Sequence, residues 1–175
     1  MYAKGHSFFT YISDSADSLA SCCRLRNEVA ENTFSPTSGL TGVKTGSCNV
    51  ITLNINRIIQ DFFKQFVHPD DFPNECIALW KSDLEVRTYF VKYLITILER
   101  VYKYHIAYKT MLYNWEERGM FASSNGGYIN IKDLFSTIGI NGLNEAAEFL
   151  GLTVSNNPEY IQFLQIVLGT IKELN

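Results

Sequence analysis

The stretch NVITLNINRIIQDFFKQF, residues 49 to 66, decides the fold class. Its first six residues are rich in β-branched side chains and predict a strand. From Ile55 onward the apolar side chains recur in steps of three and four, which is typical of an amphipathic helix. Asn54 or Asn56 is placed to cap this helix, and His68, which precedes a proline, to end it. A strand that passes directly into a helix predicts an α/β fold.

Several other elements are predicted around this unit. Upstream, GHSFFTYIS (residues 5 to 13) predicts a strand, and the glycine-rich residues 32 to 47 predict a long loop. Downstream, residues 128 to 131 predict a short strand and residues 139 to 142 a turn. A short helix at 143 to 150 ends at Gly151, and a last helix begins at Asn157, which precedes a proline.

A long helix is predicted between the two regions. The segment Ser82-Asp83-Leu84-Glu85 has the capping-box pattern, and apolar residues then continue at helical spacing from Phe90 to Trp115. Gly119 ends the series. A helix of about 36 residues is roughly 54 Å long, which exceeds the diameter of a compact domain of this size. It is therefore predicted to cross a larger body.

The composition excludes several classes of protein. The chain has 175 residues, of which 46% are apolar, enough for one domain with a sizeable core. Its net charge of -3 gives no field that would attract phosphate backbones, so a nucleic-acid partner is not predicted. No apolar run approaches the ~20 residues of a spanning helix, and the first residues lack the apolar core of a signal peptide. We therefore predict a cytoplasmic protein with no membrane partner.

Two of the four cysteines are adjacent, in the segment Ser21-Cys22-Cys23-Arg24-Leu25-Arg26. This spacing does not suit structural zinc, which uses C-x2-C pairs, and the other cysteines and the three histidines are scattered, so no metal site is predicted. The nearby arginines favour a thiolate, whereas hydrogen-atom transfer needs a neutral thiol shielded from water. A buried, inert thiol is the remaining interpretation. The pattern alone does not choose among them.

Four segments carry a resemblance to a known family: SFFTYISDSADSLASCCRLRNE, TGSCNVITLNINRI, TIGINGLNEAAEFLG and GTIKE. In this order they resemble the central part of anaerobic (class III) ribonucleoside-triphosphate reductases, which are glycyl radical enzymes. The resemblance implies that residues 1 to 175 are a partial catalytic domain, part of a ten-stranded α/β barrel with long helices. It divides the chain into a finger loop at about 14 to 31, a strand-helix unit at 48 to 67 and a helical remainder at 82 to 175.

The resemblance also implies the reacting sulfur. In the family, the cysteine that directly precedes an arginine is converted to a thiyl radical, which abstracts the 3′ hydrogen of the ribose, and the 2′ hydroxyl leaves as water. This role falls on Cys23, with Cys22 as its neighbour. Ser21, Arg24 and Ser13 are candidate substrate-binding residues, although serines in polar loops also form local turn bonds.

Asn49 is the third candidate catalytic residue. It lies where relatives that use formate as reductant favour an asparagine, while other relatives use cysteines and a small redox protein. A strand-edge amide bonded to the backbone is the alternative interpretation of Asn49. The reductant therefore stays open.

The implied cofactors and partners lie outside this chain. The resemblance implies a glycyl radical, generated by a radical-SAM activating protein, and zinc bound by cysteines in a C-terminal part of the enzyme. It also implies the remaining reductase segments, a ribonucleoside triphosphate and a homodimer. The chain itself has no recognisable radical-glycine motif, so it is predicted to be a fragment or split-gene product that is inactive alone. Two alternatives are another glycyl radical enzyme, of the pyruvate formate-lyase type, and a non-catalytic helical interaction module.

Overall fold

The computed structural model describes residues 18–20, 26–28, 47–127 and 129–174, and of the first two ranges the backbone alone. The strand predicted at residues 5 to 13 lies outside the described residues. Most of the loop predicted at 32 to 47 lies outside them as well; its last residue, Ser47, begins a strand.

The described residues form four strands and six α-helices in mixed order, which confirms the α/β class. The strands are β1 (Ser18–Ala20), β2 (Arg26–Glu28), β3 (Ser47–Asn54) and β4 (Phe135–Asn141). The helices are α1 (Ile55–Phe63), α2 (Asn74–Ser82), α3 (Leu84–Glu117), α4 (Ala122–Asn125), α5 (Leu143–Phe149) and α6 (Pro158–Glu173), with 3-10 turns at Pro69–Asp71 and Ile131–Asp133.

β3 and β4 pair in a two-stranded parallel sheet. The two strands run in the same direction, because their close contacts occur in the same order along the chain. Cys48 lies beside Ser136 near the start of the strands, and Asn54 lies beside Gly142 at their other end. β3 leads into α1 and β4 into α5, and these two helices pack against each other. This is the arrangement of adjacent strand-helix units in an α/β protein. A barrel of ten strands is not formed by the described residues.

The described residues divide into two compact units. The first unit contains residues up to 49 and residues 107–137, and the second contains residues 50–106 and 138 onward. The first unit holds the last third of α3, the segment that follows it and the beginnings of β3 and β4. Among its described residues, the buried apolar side chains are Leu112 and Ile131.

The second unit has an extensive hydrophobic core. Along β3, Ile51 and Leu53 pack against this core, whereas Val50 is exposed. The Phe62 and Phe90 rings meet edge to face with centroids 5.5 Å apart. Each fully buried side chain of this size stabilises the fold by about 1.5–3 kcal/mol relative to exposure. The fully buried members include Phe63, Phe90, Phe163, Ile55, Ile59, Leu94, Leu98, Leu150 and Val167.

The helix predicted to begin at residue 143 does so, and of the predicted N-terminal caps two are confirmed and a third is shifted. Asn54 caps α1, because its Oδ1 accepts the backbone N–H of Arg57 at 3.0 Å. Asn157 caps α6 in the same way. At the start of α3, the side chain of Asp83 accepts the N–H of Glu85 at 2.7 Å, and Ser82 instead ends α2. The capping-box prediction was therefore wrong by one residue.

The region after α3 departs most from the sequence predictions. The strand predicted at 128 to 131 is wrong for residues 129 to 131, where Ile131 begins a 3-10 turn, and residue 128 lies outside the described residues; the strand starts at Phe135 instead. Gly139 lies inside β4, and the turn comes at Gly142, whose φ is 74°. The helical remainder predicted at 82 to 175 therefore contains a strand, because pairing with the distant β3 outweighs the local turn signal. Helix α2 was not predicted.

α3 confirms the predicted long helix, with 34 residues from Leu84 to Glu117. No helix among the described residues combines the length and the apolar character needed to cross a membrane.

Candidate functional site

The predicted site residues Cys22, Cys23, Ser21, Arg24 and Ser13 lie outside the described residues. The described backbone on either side of the cysteine pair is an antiparallel ladder in which β1 pairs with β2. Ala20 is opposite Arg26, and Ser18 is opposite Glu28. Ala20 and Arg26, the described residues that flank the cysteine pair, are therefore adjacent in space, since paired residues of antiparallel strands have Cα atoms about 4.5–5.5 Å apart.

Asn49 is the one predicted site residue whose side chain is described. It lies near the start of β3 and is half-buried. Its side-chain oxygen accepts from the Cys48 thiol at 3.3 Å, and its backbone carbonyl accepts from the Ser47 hydroxyl at 2.9 Å. The amide is thus built into the beginning of the strand, and a role toward substrate stays a prediction.

A row of hydroxyl and thiol groups joins the beginnings of β3 and β4. The Ser47 and Thr137 hydroxyl oxygens are 2.9 Å apart. Because Ser47 has one hydroxyl hydrogen and donates it to the Asn49 carbonyl, Thr137 is the donor of this second bond. The Cys48 sulfur lies 3.7 Å from the Ser136 hydroxyl oxygen, although the two residues are 88 positions apart in the chain. The sequence carries no signal for this contact, which comes from strand pairing.

The Cys48 thiol borders a cavity of about 260 Å³ in the first unit, named here the Cys48 cavity. The helix α3 contributes Leu112 to its lining, and the 3-10 turn and its following residue contribute Ile131 and Leu134. The cavity is therefore lined by apolar side chains together with serines. Its remaining lining residues are Ser47, Phe121, Ser123, Ser124 and Ile129.

The polar groups at the carboxyl ends of the two parallel strands serve local structure. This end of a parallel sheet is where α/β proteins usually bind ligands. Here the Asn54 oxygen caps α1, and the Asn141 oxygen accepts the N–H of Gly142 at 2.8 Å. A Cβ on Gly142 would lie 2.9 Å from the Asn54 oxygen, so the two strand-helix turns pack directly on each other.

Two described titratable groups have pKa values that burial displaces. Burial raises the pKa of the Cys76 thiol to about 11, which makes this core cysteine a poor nucleophile at neutral pH. Burial lowers the pKa of His105 below its ordinary value. In the described part of the chain, no group of three His, Cys, Asp or Glu side chains is arranged to hold a metal ion.

Comparison with known proteins identifies a family. A family model described as anaerobic ribonucleoside-triphosphate reductase matches residues 2–175. The matched range contains the adjacent cysteines, Asn49 and all of the described elements. No curated protein and no solved structure gives a match.

Proposed function

This chain belongs to the anaerobic ribonucleoside-triphosphate reductase family, and we propose that it forms part of the catalytic barrel in which ribonucleotides are reduced to deoxyribonucleotides. The observation that carries the proposal is the family match over residues 2–175, which includes the segment with the adjacent cysteines. Reductase family membership is established by that match; the chemistry assigned below to single residues is our proposal.

The proposed reacting group is the sulfur of Cys23. Pairing of Ala20 with Arg26 supports this role, because it joins the two ends of the segment that contains the cysteine. A short segment anchored by a strand pair is suited to carrying one side chain into a cavity. In this proposal Cys22 is the neighbouring thiol, and Ser21, Arg24 and Ser13 contact the substrate.

The proposed reaction is a two-electron reduction of the ribose, in which the 2′ hydroxyl is replaced by hydrogen. The Cys23 thiyl radical takes the hydrogen atom from C3′ of the ribose, which forms an S–H bond and a sugar radical. The 2′ hydroxyl takes up a proton and leaves as water, and formate or a small redox protein supplies two electrons and a proton. The S–H group then returns its hydrogen atom to C3′, which regenerates the thiyl radical. Each transfer needs the sulfur within about 3–3.5 Å of the reacting atom.

Hydrogen-atom transfer suits an enclosed cavity because no net charge has to be separated there. Separating charge away from water is costly, whereas a neutral thiol and a thiyl radical differ by one neutral atom. A glycyl radical, generated in another part of the enzyme by a radical-SAM activating protein, would supply the oxidising equivalent that forms the thiyl. We assign zinc to no residue of this chain.

The two-stranded sheet supports a dependence on further segments. Val50 of β3 is 58% exposed, and Phe135 and Ile140 of β4 are 51% and 36% exposed. Parallel strands are normally buried on both faces and continue into larger sheets. Further strands of the reductase are therefore the proposed partners of this sheet, with a ribonucleoside triphosphate as substrate, a homodimer as the complete enzyme and the cytoplasm as its location.

The test is reconstitution under strictly anaerobic conditions. The chain is combined with complementary reductase segments, the activating protein, formate or a redox protein, and a ribonucleoside triphosphate, and deoxynucleotide formation is measured. We expect product with the wild-type chain and none with Cys23→Ala. Cys76→Ala is the matched control, because this cysteine is buried in the core of the second unit. Product formation by Cys23→Ala at the wild-type rate would show that the sulfur assignment is wrong.

The same reconstitution separates the alternatives. In an enzyme of the pyruvate formate-lyase type, the two adjacent sulfurs would share an acyl group, and Cys22→Ala would abolish acyl transfer. The reductase proposal expects no acyl transfer from any variant. A non-catalytic module would bind the complementary segments and yield no product with any reductant.

A further inference from the structure

Lys109 makes a specific set of contacts in the first unit. It lies in the second half of α3 and is half-buried. Its ammonium group donates to the backbone carbonyl of Leu134 at 2.8 Å and to that of Lys132 at 3.4 Å. The ring of Tyr113, one turn further along the helix, has its centroid 6.0 Å from the same nitrogen. One side chain thus ties α3 to a segment more than 20 residues away.

The two carbonyls belong to the segment that leads into β4. Hydrogen bonds inside the 3-10 turn are local, such as that from the Leu134 N–H to the Ile131 carbonyl at 3.2 Å. Such local bonds shape the turn and do not fix its distance from α3. The bonds from Lys109 do fix it, because their donor is on the helix and their acceptors are at the end of the turn.

The segment held by Lys109 is one wall of the Cys48 cavity. Ile131 and Leu134 both line this cavity. Two residues after Leu134, Ser136 lies beside the Cys48 thiol. A movement of the segment away from α3 would therefore widen the cavity and separate β4 from the beginning of β3.

The chemistry of lysine makes this contact informative. An ammonium group is strongly hydrated, and the four-carbon stem of lysine is flexible. Fixing the group against neutral carbonyls therefore costs hydration and side-chain entropy. Bonds from a charged donor are roughly twice as strong as those between neutral groups, which offsets this cost. The cation over the Tyr113 ring adds a smaller contribution.

We propose that Lys109 is a positioning residue that keeps one wall of the Cys48 cavity in place, by holding residues 131–134 and the start of β4 against α3, and so limits access to the Cys48 thiol. This inference is independent of the reductase function. It concerns the reactivity of one thiol in the chain itself.

The experiment measures how fast iodoacetamide alkylates Cys48 in the full chain at pH 8. Peptide-level mass spectrometry follows Cys48 and the buried Cys76 separately, so that Cys76 reports whether the core of the second unit stays intact. The variant Lys109→Met keeps the length of the apolar stem and loses the donors. Lys109→Arg restores donors, and Lys103→Met removes an exposed lysine of the same helix as the matched control.

We expect Lys109→Met to accelerate Cys48 alkylation by roughly five- to tenfold, since the loss of one or two charged hydrogen bonds shifts a local opening equilibrium by about that factor. Lys109→Arg and Lys103→Met should remain within about twofold of the wild type, because the first retains charged donors and the second leaves the contact intact. Cys76 should stay slow in all variants.

Two outcomes would overturn the inference. Equal rates at Cys48 in wild type and Lys109→Met would show that the lysine does not control access. Faster alkylation of Cys76 as well as Cys48 would show that the substitution loosens the whole fold, which assigns Lys109 a general structural role and not a positioning role at the cavity.

Discussion

Gly139 of β4 and Thr52 of β3 approach so closely that a Cβ on the glycine would lie 2.6 Å from the threonine hydroxyl oxygen and 3.4 Å from its Cα. The absence of a side chain at residue 139 is therefore what allows the two parallel strands to come together at this point. The sequence predicted a turn there. The glycine instead serves close strand approach, which is the other common reason for glycine inside a strand.

Gly139→Ala is expected to destabilise the second unit by about 1–3 kcal/mol, the usual cost of overpacking a closely packed site. Urea denaturation measures the change in the free energy of unfolding. Thr52→Ala in the same chain removes the hydroxyl oxygen and should recover most of the loss. The control is Gly169→Ala, since nothing lies within 4 Å of a Cβ there and the residue is inside α6. A gain of about 0.5–1 kcal/mol is expected for that control. Equal effects of the two alanines would contradict the close approach.

Gly142→Ala is expected to lower the free energy of unfolding by more than the positive φ of this residue alone would explain. The residue has a φ of 74°, and a Cβ would lie 2.9 Å from the Asn54 oxygen and 3.2 Å from the Asn56 backbone nitrogen. Gly127→Ala is the matched control, because its φ is 77° but nothing lies within 4 Å of the added carbon. The control should lose about 1–2 kcal/mol of unfolding free energy, and Gly142→Ala at least about 1 kcal/mol more. Similar losses would show that the strand-helix turns do not pack on each other.

Arg87 is expected to stabilise the end of α2 through its forked side chain. Its guanidinium donates to the Trp80 carbonyl at 2.8 Å, to the Lys81 carbonyl at 3.0 Å and to the Gln162 side chain at 3.1 Å. Arg87→Met should lower the free energy of unfolding by about 1–3 kcal/mol, because helix-terminal carbonyls lose charged donors.

Arg87→Lys tests the geometry of that fork. It keeps the charge but has a single ammonium group, so it should recover less than half of the loss. The control is Arg100→Met, at an exposed position of α3, the helix that also contains Arg87. It should change the free energy of unfolding by less than about 0.5 kcal/mol. Full recovery by lysine would indicate that charge alone matters at residue 87.

The buried His105 is expected to make stability fall in mild acid. Burial lowers its pKa in the folded chain, so below the ordinary value of 6.5 the unfolded chain binds a proton more readily than the folded chain. As far as this group is concerned, the folded chain is fully stable above about pH 6.5, and it loses stability as the pH falls toward the lowered pKa. The free energy of unfolding should therefore fall between pH 7 and 5 more steeply in wild type than in His105→Leu. Parallel curves for the two proteins would contradict this prediction.

Elements with a strong local signal were predictable from the sequence. The step from β3 into α1 is encoded by the change from β-branched residues to helical spacing, and by Asn54 as a cap. The length of α3 follows from a periodic series that a glycine ends. The start of α6 follows from Asn157 and the proline after it. In each case the signal that predicts the element comes from residues within one or two turns, although distant residues complete its packing.

The candidate site was predictable only in part. The adjacent cysteines were found because their family pattern is local, and residues 21 to 25 lie outside the described structure. The neighbours of Cys48 could not be found in this way. Ser136 and Cys48 are 88 residues apart, and the bond from Lys109 to Leu134 spans 25 residues.

By itself, the sequence determined the α/β class, the family and the helices whose caps and periodicity are local. The tertiary structure decided that FSTIGIN, residues 135 to 141, is a strand and not a turn, and that Cys48 borders a cavity whose wall includes Leu112, Ile131 and Leu134. The physical reason is range. Caps and helical spacing act over a few residues, whereas a strand with weak local preference forms only when a distant partner satisfies its backbone hydrogen bonds.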